Sequence, residues 1–152
     1  YKGVNRRFDY KIKTERVIFI DDYAHHPAEI NACINSIRNI YPEKRIIGIF
    51  QPHLFSRTRD FLNDFARSLE LLDELLLLDI YPAREKPIEG ISSQLLFEKV
   101  NLENKKLISK DNLFENLSNK NIEILLTIGA GDIDQLVIPI ENYLRNRFNL
   151  NK

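Results

Sequence analysis

Short, almost uninterrupted apolar runs at residues 17–20, 46–50, 75–80 and 124–128, each followed by a helix-length segment, limit the folds open to this chain. Such a run, bounded by polar sequence, reads as a strand buried on both faces, the habit of parallel sheets packed between helices. Pro27 opens the first helix in its first turn, where a missing N–H costs nothing. Ile30, Cys33, Ile34, Ile37 and Ile40 recur at three- and four-residue spacing and make one inward face. Phe61, Leu62, Phe65, Leu69 and Leu72 form the stripe of the next helix. Residues 92–100 predict a short helix capped by Ser92 or Ser93, 106–109 a short strand and 111–117 another short helix. Ile133, Leu136, Val137, Ile140, Tyr143 and Leu144 line a long C-terminal helix. Residues 8–13 and 16–20 are extended runs joined at Thr14-Glu15, either a hairpin or an inter-domain strand feeding the first core strand. Five strand–helix units predict an α/β fold: an open, mostly parallel, Rossmann-like sheet with helices on both faces and an N-terminal hairpin strand.

A length of 152 residues suits one domain with a full core. Its 22 basic and 22 acidic residues cancel, so neither nucleic acid nor a membrane surface is expected as a partner. The single cysteine, Cys33, has no partner for an intrachain disulfide, which favours a reducing, cytoplasmic compartment, and its place on an apolar helix face reads as a core thiol. No run approaches the roughly 18 apolar residues of a membrane span. The first residues lack an initiator Met and a signal pattern, and read as a cut inside a longer protein.

In such sheets ligands gather beyond the carboxyl ends of the strands, and the unusual residues of this sequence fall there. The first core strand runs into Asp21-Asp22-Tyr23-Ala24-His25-His26-Pro27, and the second into Gln51-Pro52-His53-Leu54-Phe55-Ser56-Arg57-Thr58-Arg59. The third ends in Tyr81-Pro82-Ala83-Arg84-Glu85 and the last in Gly129-Ala130-Gly131-Asp132, so all three histidines share one edge. Adjacent carboxylates and imidazoles suit metal binding, proton transfer or ligand orientation. A metal site is disfavoured, because neighbouring residues point apart, and Asp22 as a simple helix cap with loop-lining histidines is the plainer alternative. Arg57 and Arg59 offer planar forks for carboxylate or phosphate oxygens. No Gly-Lys-Ser/Thr phosphate loop occurs, so the main cradle for any nucleotide lies outside this chain.

These motifs resemble the C-terminal domain of the Mur ligases, and among them the subfamily that joins L-alanine to UDP-N-acetylmuramate. The resemblance rests on Asp-Asp-Tyr-Ala-His-His-Pro and Phe-Gln-Pro-His-x-Phe-Ser-Arg-Thr, with Gly-Val-x-Arg-Arg-Phe-Asp at 3–9, Tyr-Pro-Ala-Arg-Glu-x-Pro-Ile-x-Gly at 81–90 and Gly-Ala-Gly-Asp-Ile at 129–133. It implies residues 1–15 as the end of a central ATP-binding domain with linker and entry strand, and 16–152 as a C-terminal amino-acid-binding domain. It further implies a cytoplasmic ATP-dependent amide ligase of peptidoglycan precursor synthesis, with ATP and Mg2+ held mainly by the absent central domain. In that scheme ATP phosphorylates the muramoyl carboxylate and the L-alanine amine attacks the acyl phosphate; this domain alone would be inactive. Residue by residue, Arg7 matches an arginine that closes on the ATP phosphates and Asp22 an acid that meets the nucleotide ribose, the two catalytic candidates. Tyr23 and His25 match the lining of the amino-acid pocket, and Arg57 the partner of the amino-acid carboxylate. His26 and His53 match supports, and Arg59 joins them as a substrate-side candidate. Leu54 departs from the pattern, since many relatives carry arginine there. Alternatives are the ligase that recycles ready-made peptides onto the same sugar, a stand-alone flavodoxin-like binding module, and a metal hydrolase using Asp22, His25 and His26.

Overall fold

A computed structural model of the protein describes residues 6–150. Gly3, Val4 and Asn5 of the Gly-Val-x-Arg-Arg motif, and the start of the expected linker, lie outside the described residues. Strands β1 (Asp9–Lys13), β2 (Ile18–Asp22), β3 (Ile46–Phe50), β4 (Glu74–Leu77), β5 (Lys105–Leu107) and β6 (Ile124–Ile128) form one sheet in the order β1-β2-β6-β3-β4-β5. Only β1 is antiparallel, pairing with β2 from Asp9↔Asp21 to Lys13↔Ile18; the other four pairings are parallel. The first two runs are therefore a hairpin, closed where the Thr14 and Val17 backbones bond at 3.1 Å.

Alternation along the buried strands divides the core. Ile18, Ile20, Ile46, Phe50, Leu75, Leu77, Leu126 and Ile128 face helices α1 (Pro27–Ile40), α3 (Leu62–Leu69) and α4 (Ser93–Lys99). Phe19, Ile47, Ile49, Leu76 and Leu125 face α5 (Leu113–Ser118) and α6 (Val137–Arg147). A six-residue helix, α2 (Phe55–Asp60), precedes α3. Helices that follow β2, β3 and β4 thus cover one face, and those that follow β5 and β6 the other. Connections run outward from β2 to β5 and then return to β6, which inserts between β2 and β3. This reversal opens a crevice at the carboxyl end of β6, flanked by the ends of β2 and β3.

Three expectations change in detail. The stripe from Phe61 to Leu72 overruns its helix at both ends: Phe61, at φ −120° and ψ 29°, is the cap residue before α3, and α3 ends at Leu69, short of Leu72. Phe61 is 39% exposed and leans edge-on against His26 with ring centroids 5.7 Å apart. Ile40, at the last position of α1 and about 80° round from Ile30 at 100° per residue, is 53% exposed rather than packed inward. Strand β2 also runs further than the apolar run, because Asp21 and Asp22 belong to it.

Candidate functional site

The two aspartates that end β2 point to opposite faces and are both buried. Asp21 takes a two-pronged contact from Arg6 (Nε–Oδ2 2.8 Å, Nη2–Oδ1 3.1 Å) and a 2.7 Å hydrogen bond from the Thr127 hydroxyl of β6. Arg6 also donates to the Gly129 carbonyl at 3.0 Å and lies over the Tyr23 ring. Burial opposes the Arg6 charge, but the Asp21 carboxylate outweighs it and raises the pKa. One arginine thereby staples the entry peptide to the β2–β6 seam. Asp22 accepts Phe8 N–H at 2.9 Å and Ala24 N–H at 2.8 Å, one on each oxygen. It is not the cap of α1.

That cap is His26, in a reciprocal box with Glu29. One Glu29 oxygen receives the backbone N–H groups of His25 (3.0 Å) and His26 (3.2 Å), and the other receives Arg7 at 3.1 Å. Burial acts to raise the Glu29 carboxyl, but the His25 and His26 N–H groups prevail and its pKa falls below the usual range. His25 is held by a 3.1 Å contact between Nδ1 and the Tyr23 carbonyl, and its ring meets Tyr23, His26 and His53 at centroid distances of 5.3, 5.4 and 6.1 Å. Arg7 ends among solvent, 60% exposed, with Glu29 as its partner.

Beyond β3, the loop is zipped to the loop after β4. Tyr81 N–H reaches the Pro52 carbonyl at 2.8 Å, Leu54 N–H reaches the Tyr81 carbonyl at 2.9 Å, and the His53 ring stacks on the Tyr81 ring at 5.7 Å. Arg57, in α2, places Nη1 3.0 Å from His53 Nδ1. Burial and then the Arg57 and His25 charges push the His53 pKa below its ordinary value, with Glu85 opposing them. Arg59 turns away to Asp60 and is half exposed.

The glycine-rich end of β6 completes the edge. Gly129 has φ +149° and lies so close to the Gln51 backbone that an added Cβ would sit 3.0 Å from its carbonyl oxygen, so the turn requires glycine. Gln51 is buried and bridges both sides, donating to Asp132 at 2.6 Å and accepting Ile133 N–H at 3.0 Å. Asp132 also pairs with Lys110. These side chains border a cleft of about 360 Å³ roofed by Tyr81 and Pro82.

The structure thus brings Tyr23, His25, His26, His53 and Arg57 together at the crevice beside β6, holds Arg7 one Glu29 bridge away, buries Asp22 in backbone contacts and sends Arg59 elsewhere. Among the described residues, no group of three or more His, Cys, Asp or Glu side chains is placed to hold a metal. Arg6, Asp21, Glu29, Gln51, Glu85 and Asp132 organise the site without having been singled out individually. The Glu29 signal was readable, three residues after the cap; the Gln51–Asp132 and Arg6–Asp21 pairs are long-range and leave no local trace.

A profile of the family described as Mur ligase, glutamate ligase domain matches residues 6–132. The chain belongs to that Mur ligase family. Within it, the chain is 56% identical over 146 residues to the UDP-N-acetylmuramate–L-alanine ligase of Porphyromonas gingivalis and 54% identical over 144 residues to that of Flavobacterium psychrophilum. Each match covers 95% of this chain but 32% of the relative, so this Mur ligase domain spans about a third of the length of the curated relatives. Among solved structures, UDP-N-acetylmuramate–alanine ligase from Thermotoga maritima superposes with a TM-score of 0.70 at 24% identity, over 97% of this chain and 30% of that one. A single domain of a putative Haemophilus ducreyi ligase superposes at 0.60 and 23% identity, over 91% of this chain and 99% of that one. At these identities the structures share the Mur ligase domain fold. Among the described residues, no helix is long and apolar enough to cross a membrane.

Proposed function

We propose that this domain is the amino-acid-binding C-terminal part of a cytoplasmic, ATP-dependent ligase that joins L-alanine to UDP-N-acetylmuramate. The observation that carries the reading is an identity of 49–56% to ligases of that name across 95% or more of the chain. The peptide-recycling alternative rests on fold-level likeness, at 16% identity to a murein peptide ligase of Psychrobacter arcticus and 23% to the Haemophilus ducreyi domain, whose parent is described as a ligase of UDP-N-acetylmuramate with a ready-made peptide. Residues 1–15 would then be the end of the central domain with the linker and the entry strand β1, and residues 16–152 the C-terminal domain.

Amide formation needs the incoming amine oriented against an activated carboxyl group, which is mainly a task of positioning. Arg57 supplies a fork for the amino-acid carboxylate, held by His53 from behind. Tyr23 and His25 wall the crevice beside it, and His26 starts the helix that carries the loop. ATP supplies the phosphoryl group that activates the sugar's carboxyl. What this chain offers the nucleotide is chiefly Arg7, whose exposed guanidinium can leave Glu29 for a phosphate. Asp22 remains the candidate for the nucleotide ribose: each of its oxygens accepts one backbone N–H and keeps a lone pair for a further donor. Mg2+ belongs with the nucleotide on the central domain.

The test is amide formation by the full-length protein. With ATP, Mg2+ and UDP-N-acetylmuramate, L-alanine is expected to be coupled and a tripeptide rejected; preference for the tripeptide would transfer the domain to the recycling reaction. This domain alone is expected to form no product.

A further inference from the structure

Glu85 lies in the Tyr-Pro-Ala-Arg-Glu motif and takes no part in the chemistry proposed above, yet its carboxylate is committed. One oxygen accepts the Ser56 N–H at 3.1 Å and the other accepts the Ser56 hydroxyl; the Phe55 N–H also faces it. These are the free donors at the start of α2. The residue at the cap position of that helix is Leu54, at φ 77° and ψ 136°, which has no side-chain oxygen to receive them. A carboxylate from the neighbouring loop therefore fills the role the helix cannot fill for itself. The same loop is fastened to the loop after β3 by the Tyr81 bridge to His53, and a turn in which Glu85 N–H bonds the Pro82 carbonyl at 2.9 Å tightens it. At six residues α2 is too short to persist without fixed ends, and Arg57 is the residue after Ser56.

We infer that Glu85 is a positioning residue for the amino-acid carboxylate site: by capping α2 from the loop after β4 it fixes Arg57 and, through Arg57, His53. This rests on the proposal that Arg57 receives that carboxylate. It also gives the 81–90 motif a function, since Tyr81 holds His53 and Leu54 while Glu85 holds the first turn of α2 next to them.

Steady-state kinetics of the full-length ligase test it. In Glu85→Ala the KM for L-alanine should rise about tenfold, the size of a lost helix cap, while the KM values for ATP and UDP-N-acetylmuramate hold within about twofold. Glu85→Gln, which keeps one accepting oxygen, should fall between. Glu85→Ala added to Arg57→Ala should change the L-alanine KM little further, because both act on one contact. An unchanged L-alanine KM in Glu85→Ala overturns the inference, as does a common rise of all three KM values with a lowered Tm, or full additivity with Arg57→Ala. If Arg57→Ala itself leaves the L-alanine KM unchanged, the carboxylate reading of Arg57 fails first; a rise there without one in Glu85→Ala removes only the role of Glu85.

Discussion

Glu29 does three tasks with one carboxylate: it completes the cap of α1, fixes the His25-His26 backbone and holds Arg7. Glu29→Ala should cost about 0.5–2 kcal/mol at pH 7, the range for losing a cap, read by urea unfolding of the domain. Because the folded carboxyl titrates below its ordinary value near 4.5, its contribution is complete above that value and disappears as pH falls through the lower folded one. The gap between wild type and variant should therefore close on acidification; a gap that does not narrow at all as pH falls would show that Glu29 acts through packing instead. Arg6 and Asp21 carry a larger share. Asp21 is buried and Arg6 partly so, and removing Arg6 leaves the Asp21 charge stranded, a loss of up to about 3 kcal/mol. Cys33 stays out of the chemistry: burial, followed by the nearby Asp22, pushes its thiol pKa far up.

At the scale of elements, packing overrides periodicity in one instructive place. Leu72 continues the helical stripe in sequence, yet it lies past the end of α3 and covers Gly48 of β3, where an added Cβ would approach Leu72 Cδ1 to 2.6 Å. Gly48→Ala should destabilise the domain by about 1–3 kcal/mol through overpacking, seen as a lower Tm, whereas an unchanged Tm would mean that the Leu72 turn yields freely. Strands were legible because the buried runs alternate between two cores, and α1 was legible from its spacing. The limits of α3 at Leu62 and Leu69 were not, since the apolar pattern runs past both without a Gly or Pro to mark them. The extension of β2 through Asp21 and Asp22 was hidden because its carboxylates are paid for by partners remote in sequence: Arg6, Thr127 and the Phe8 N–H.

At the scale of the molecule, the strand order explains why motifs scattered from Asp21 to Asp132 meet. Insertion of β6 between β2 and β3 brings three carboxyl ends side by side, and the reversal of connections there keeps helices from covering the gap. The edge that gathers the histidines could be read from sequence; the partners that each side chain takes there could not. Arg59, grouped with Arg57 by proximity in sequence, turns to Asp60, and Asp22 turns inward, because a side chain's direction depends on the partners the fold supplies. The central claim is that the amino-acid carboxylate is received at Arg57 in this crevice. The Arg57 charge, 3.0 Å from His53 Nδ1, helps hold the His53 pKa below 6.5, after burial. A carboxylate arriving at Arg57 offsets that charge and favours the imidazolium. The direct measurement is an NMR titration of His53 in the full-length ligase, with and without saturating L-alanine. A rise in the His53 pKa on adding L-alanine is the predicted result, and an unchanged or lower value at saturation would contradict the account.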